Sequence, residues 1–196
     1  MKKTLFIGAL FCISLVSVNA AVVFSGTNGD LDFDAESGSF TSGGIRVTLA
    51  ANSGLEVNTT GSGGLGVNDP TTGDDDSDGL DTLIMGVNET LTVSFDVDVT
   101  LNSIRYIGVG TNDALDLSFN GIAEPLLTAS GLITYDTVLL AGQTLVITAI
   151  APNGPNNPNN GVTITEFTVT AIPEPSSLAL MGLAGVAAIF RRRKSV

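Results

Sequence analysis

The sequence predicts an all-β protein, an antiparallel β-sandwich for which a jelly roll is one available winding, flanked by an N-terminal signal helix and a C-terminal hydrophobic helix. Three observations predict it. Short runs rich in β-branched residues recur through the middle of the chain, clusters of Gly, Asn and Asp separate them, and no window there holds a 3.6-residue apolar period. The clearest run is Thr90 to Thr100, in which Leu91, Val93, Phe95, Val97 and Val99 alternate with Thr92, Ser94, Asp96 and Asp98. It reads as one continuous strand, apolar on one face. Similar segments recur at about 21–24, 44–50, 103–109, 114–119, 132–139, 143–150 and 161–171, a spacing suited to a sandwich. In the last of these Val162 and Ile164 share one parity while Phe167 and Val169 share the other. A bulge near Thr165-Glu166 is therefore expected.

The length of 196 residues suits one domain plus processing segments. Three parts are expected: a signal peptide over 1–20, a body over 21–172 and a tail over 173–196. Lys2 and Lys3 precede an apolar run from Leu5 to Val16, and Val18-Asn19-Ala20 supplies the small residues that a signal peptidase reads. Cleavage between Ala20 and Ala21 is expected. The run is shorter than the roughly 20 residues needed to span a bilayer, which argues against a permanent anchor. Cys12 lies deep in this run behind Leu10 and Phe11, without the small neighbour that lipidation needs. Once the signal is removed no cysteine is left, so disulfides and thiol chemistry are both absent.

At the other end Ile172-Pro173-Glu174-Pro175-Ser176 leads into an apolar stretch from Leu178 to Phe190, closed by Arg191, Arg192, Arg193 and Lys194. The prolines remove backbone donors and keep the segment extended for a processing enzyme. From Ser176 to Phe190 there are 15 residues, which as a helix reach about 22 Å against a hydrocarbon core of about 30 Å. Arginine stems can snorkel and the bilayer can thin to meet them. The basic cluster stays cytoplasmic, which puts the body on the far side.

This order of Pro-Glu-Pro, short hydrophobic helix and basic cluster resembles the PEP-CTERM tail of Gram-negative bacteria. The resemblance implies recognition by an exosortase-like membrane protease, a transient single-pass inner-membrane intermediate, and delivery to the cell surface or extracellular matrix. It covers residues 173–194 and concerns the address rather than the cargo. In the body, GLGVNDP with the acidic turn after it, and SFDVDVTLNSIRY, look similar to β-sandwich cargoes that carry this tail.

Divided by segment, the charge is lopsided. Between Ala21 and Ile172 only Arg46 and Arg105 stand against nineteen carboxylates, a formal charge of −17. Nucleic acid is excluded as a partner, because phosphate contacts need a basic surface. Such a body stays soluble outside a cell and attracts divalent cations. It also has no histidine and no lysine. Histidine triads, imidazole zinc sites and Schiff-base chemistry are unavailable to it.

Two segments read as loops: 151–161, APNGPNNPNNG, and 52–79, which is rich in Gly, Thr and Asp and is expected to form loop or short edge strands. Gly61-Ser62-Gly63-Gly64-Leu65-Gly66 matches the dinucleotide spacing, yet no helix-forming sequence follows to seat a pyrophosphate. Asp74, Asp76, Asp78 and Gly79 reproduce the first half of a calcium loop, and Asp75 and Asp81 add oxygens. The twelfth position of an EF-hand falls on Met85, so another acid such as Asp69, Glu89 or Asp113 would have to complete the shell. The same residues fit a plain solvated acidic loop, and both readings stay open.

Catalysis has little support. A glycosidase pair needs one carboxyl raised in pKa by an apolar pocket, and only Glu166 lies within an apolar strand, where a bulge explains it. The body has no Trp, and Tyr106 and Tyr135 read as residues at the rim of the core. The expected function is that of a non-enzymatic exported protein with a structural or adhesive role. Its expected partners are signal peptidase, an exosortase-like protease, the inner membrane and exopolysaccharide; calcium is the one candidate cofactor. A calcium-dependent carbohydrate-binding module and a small polysaccharide hydrolase are the alternatives.

Overall fold

The computed structural model describes residues 20–26, 33, 35–59, 64–68, 79–80, 88–109, 114–150 and 161–174. Their strands are β1 (Val22–Ser25), β2 (Ser37–Ser42), β3 (Ile45–Ala51), β4 (Glu56–Thr59), β5 (Leu65–Asn68) and β6 (Thr90–Phe95). Then follow β7 (Val99–Ile107), β8 (Ala114–Phe119), β9 (Ile122–Ala123), β10 (Gly131–Leu139), β11 (Thr144–Ile150) and β12 (Thr163–Ala171). Two sheets form, one ordered β10-β7-β12-β5-β4 with β1 also on β12, the other ordered β2-β3-β6-β11-β8-β9. Every pairing is antiparallel. From β5 onward the strands fall as β5, β12, β7, β10 against β6, β11, β8, β9, which is the winding of a jelly roll. The body is an all-β sandwich.

Alternation builds the core. In β6 Leu91, Val93 and Phe95 are buried between the sheets while Thr90, Thr92 and Ser94 face out. Facing them stand Phe24, Leu101, Ile104, Phe167 and Val169 from the other sheet. Each such side chain contributes about 1.5–3 kcal/mol by leaving water. Phe24 packs on Phe95 with ring centroids 6.1 Å apart.

The run 90–100 is not one strand. It breaks at Asp96–Asp98, where the chain leaves β6 in one sheet and enters β7 in the other. Asp96 Oδ1 accepts the Arg46 N–H at 2.9 Å, and Asp98 Oδ1 accepts the Ala141 N–H at 2.8 Å. Carboxylates that take backbone donors compete with the strand ladder, and here they turn the chain. The parity of buried residues survives the break, since Phe95 and Val99 both point into the core.

The expected bulge is present. Between Ile164↔Tyr106 and Glu166↔Arg105 the register of β12 on β7 slips, leaving Thr165 as the extra residue. Within 52–79, β4 is an edge strand but β5 lies inside its sheet, between β12 and β4. Its glycines make this possible. A Cβ on Gly64 would strike the Thr163 methyl, and one on Gly66 would come within 2.8 Å of Gly79 Cα. β1 and β5 share one flank of β12, end to end, where a Cβ on Gly26 would lie 2.6 Å from the Gly64 carbonyl carbon.

The sandwich has two distinct ends. At the exit end β1 begins and β12 finishes, beside the 43–44 turn, the 96–98 link, the 120–121 turn and the 140–143 turn. Contacts tie these together: a Cβ on Gly43 would meet Val22, Gly142 N donates to Phe95 O at 2.9 Å, and Ile172 N donates to Asp98 O at 2.8 Å. The opposite end, at Asn68, Gly79, Glu89, Val109, Ala114, Ile150 and Gly161, is where the segments 69–78, 81–87, 110–113 and 151–160 attach.

Phe95→Asp places an unpaired charge at a site 3% exposed and is expected to unfold the body. Asp96→Asn keeps the acceptor for Arg46 N–H and is expected to change stability by less than about 0.5 kcal/mol. Circular dichroism melts of both variants check the pair.

Candidate functional site

The candidate site is the exit end, where both expected processing sequences meet the folded body. β12 carries the chain out through the middle of its sheet and stops at Ala171; the Ile172 hydrogen bond to Asp98 then holds the chain for one residue more. Pro173 and Glu174 follow at once and are exposed. Proline ends the ladder here, because it has no N–H to give. β1 runs antiparallel on β12 with Val22↔Val169, so exposed Ala20 and Ala21 lie alongside the end of β12. Signal cleavage between them would leave every residue of β1 in place. Pro175, the basic cluster Arg191, Arg192, Arg193 and Lys194, and both apolar runs lie outside the described residues. Among the described residues no helix is long and apolar enough to cross a membrane.

The acidic residues Asp74, Asp76, Asp78 and Asp81, with Asp69, Asp75 and Asp113, also lie outside the described residues, as does 151–160. What borders them is described. Val67 N donates to Gly79 O at 3.3 Å, and Leu80 exchanges hydrogen bonds with Val162 at 2.7 and 3.0 Å, so the stems of 69–78 are pinned to the sheet. Glu89 is 1% exposed, and its carbonyl accepts Ala149 N–H at 3.1 Å. Among the described residues no group of three acidic side chains is placed to hold a metal ion.

The remaining candidates are structural in their surroundings. Glu166 sits at the bulge, 3.7 Å from Arg105 Nε, and accepts the Thr168 hydroxyl at 3.1 Å. Both partners are partly exposed, so the pair stabilises little. Gly64, Leu65 and Gly66 belong to β5 and its approach, so the dinucleotide spacing reflects close backbone packing. Tyr106 is buried, and burial raises its hydroxyl pKa. Tyr135 meets Phe119 edge-on at 5.0 Å. Its buried hydroxyl has no hydrogen-bond partner among the described residues, and burial, then Glu124 and Tyr106 nearby, push its pKa up to about 12. Neither tyrosine offers a face for sugar stacking with a free hydroxyl.

Residues 171–194 match the family described as the PEP-CTERM protein-sorting motif. The chain carries a PEP-CTERM sorting tail. That tail implies export, with recognition by an exosortase and passage through a membrane-held intermediate. The match starts at the last residue of β12, so the motif adjoins the sandwich directly. No curated protein matches the chain. Among solved structures, the crystal structure of the Podospora anserina GH26-CBM35 beta-(1,4)-mannanase is similar at 16% identity and a TM-score of 0.33, over 81% of this chain and 29% of that one. This chain thus spans less than a third of that enzyme's length.

The motif is legible in the sequence, but the bond from Ile172 N–H to the backbone carbonyl of Asp98 that secures it is not. Nothing local marks that bond, which joins positions far apart in the chain.

Tyr135 gives a test of the core rim. Its folded pKa lies above the ordinary 10, so its contribution to stability is complete below about pH 10 and is lost as pH rises toward about 12. Tyr135→Phe is expected to flatten that alkaline decline by about 1 kcal/mol, discounted for partial exposure, and to be neutral or slightly stabilising at pH 7. Thermal melts across pH measure both.

Proposed function

We propose that this PEP-CTERM protein is a non-enzymatic component of the cell surface or extracellular matrix, with a structural or adhesive role. The observation that carries this reading is the sorting motif placed directly on the last strand of a sandwich with an exposed Pro173-Glu174. The body has no histidine or lysine for common catalytic devices, and its charge of −17 keeps it dispersed outside the cell. Signal peptidase would act at Ala20-Ala21 and an exosortase-like protease near Pro173, Glu174 and Pro175. Exopolysaccharide is the proposed surrounding. Replacing Arg191, Arg192, Arg193 and Lys194 by Ser is expected to remove the cytoplasmic stop and impair processing. Fractionation with mass measurement of the product decides it. Release of a wild-type-sized product would remove the mechanism.

A second reading, calcium-dependent carbohydrate binding, is favoured by the pinned stems of the 69–78 segment. A closed loop base lowers the entropic cost of gathering Asp74, Asp76, Asp78 and Asp81 about one ion. At free calcium 100 times the dissociation constant, binding would stabilise the body by about 2.7 kcal/mol. That corresponds to a rise of roughly 5–11 °C in Tm, with magnesium much less effective. Asp76→Asn with Asp78→Asn should abolish the gain. An equal rise in sodium at matched ionic strength would reduce it to screening.

A further inference from the structure

We propose that the exit end of the sandwich is a membrane-facing surface, seated on the bilayer while the tail is embedded, and that the acidic end points away from the lipid. This rests on the reading of residues 178–190 as a membrane segment. Only 172–177 separate β12 from that segment, and fully extended these six residues reach about 20 Å. The end of β12 is therefore held within that distance of the membrane. The other apolar run, 5–16, joins β1 at the same end, so both chain exits leave one surface.

The chemistry of the two ends differs in the matching direction. The turns of the exit end expose Leu140 (49%) and Ile122 (71%), with Val23 and Val138 half exposed just behind them. Asp96, Asp98 and exposed Glu174 lie there too; the first two carboxylates each already accept a backbone N–H, from Arg46 and Ala141. Exposed Arg46 adds a cation beside the link. Asn120 and Gly121 have φ of 49° and 81°, a type I′ turn that holds Ile122 at the rim. At the far end attach the segments 69–78 and 81–87, which contain Asp69, Asp74, Asp75, Asp76, Asp78 and Asp81. An anionic bilayer repels that end, while leucine and isoleucine enter the headgroup boundary at little cost. Ile107, Leu126 and Leu132 are exposed as well but lie toward the far end, away from both chain exits.

The test uses the full chain with Cys12→Ala, reconstituted in vesicles of phosphatidylethanolamine and phosphatidylglycerol that carry a headgroup-attached quencher. Single-cysteine variants Leu140→Cys and Ile122→Cys report the exit end. Ala129→Cys and Glu36→Cys report the far end; all four positions are exposed. Each bears the same thiol-linked fluorophore. Flotation compared with a version ending at Ser176 scores tail insertion separately from insertion of 5–16, and circular dichroism scores folding. The expected result is strong quenching at 122 and 140 with none above the quencher-free baseline at 36 and 129. Equal quenching at both ends in floating, folded chains would overturn the orientation while leaving the sorting tail intact. Failure of the chain to float would overturn both.

Discussion

Asp98 joins three parts of the chain that the fold must bring to one place. Its carboxylate takes the Ala141 N–H of the turn between β10 and β11, and its carbonyl takes the Ile172 N–H where β12 lets the chain go. It also lies in the link by which the chain crosses from β6 to β7. A charge-assisted hydrogen bond to a backbone donor contributes more than a neutral one, and here it stabilises a crossing between sheets rather than a ladder within one. Without the carboxylate the β6–β7 corner and the β10–β11 turn would lose an anchor they share, while the exit of β12 keeps its bond to the backbone carbonyl.

The consequence for function is positional. A sorting tail can serve any cargo, but here the match begins at the last paired residue of an inner strand of a sheet. The processing sequence is thereby exposed without any of the sandwich having to open. The pairing of β1 on β12 brings the expected signal cleavage point to the same end, so both chain exits leave one surface. Carboxylate-rich segments attach at the opposite end, and the fold thus separates an end that belongs to the membrane stage from an end available to the outside.

A second constraint is close backbone approach. β5 lies inside its sheet because Gly64 and Gly66 leave room for Thr163 and Gly79, and β1 fits end to end with it because two glycines meet. Packing of this sort is steric rather than hydrophobic. A Cβ in place of hydrogen would force backbone shifts that cost about 1–3 kcal/mol.

How much was legible can be judged residue by residue. Leu91, Val93 and Phe95 declared a half-buried strand, because period-2 burial is a local pattern, and the parity slip around Thr165 declared a bulge for the same reason. The charge asymmetry, the absence of histidine and lysine from the body, and the Pro-Glu-Pro tail with its basic cluster were likewise complete in the sequence, since composition and short motifs need no partners. Other features were silent. The break at Asp96–Asp98 was masked by an unbroken alternation, because each sheet buries the same parity. β5 was hidden by its glycines, whose low strand propensity is outweighed only when β12 and Gly79 are in place. The shared exit end, the inner position of β12 and the role of Asp98 depend on registers between residues 43 to 147 positions apart. Local chemistry determined what this chain is made of and which sorting tail it carries; long-range pairing alone decided that both chain exits share one end and the acidic segments attach at the other, because the free energy of those contacts exists only once distant strands are side by side.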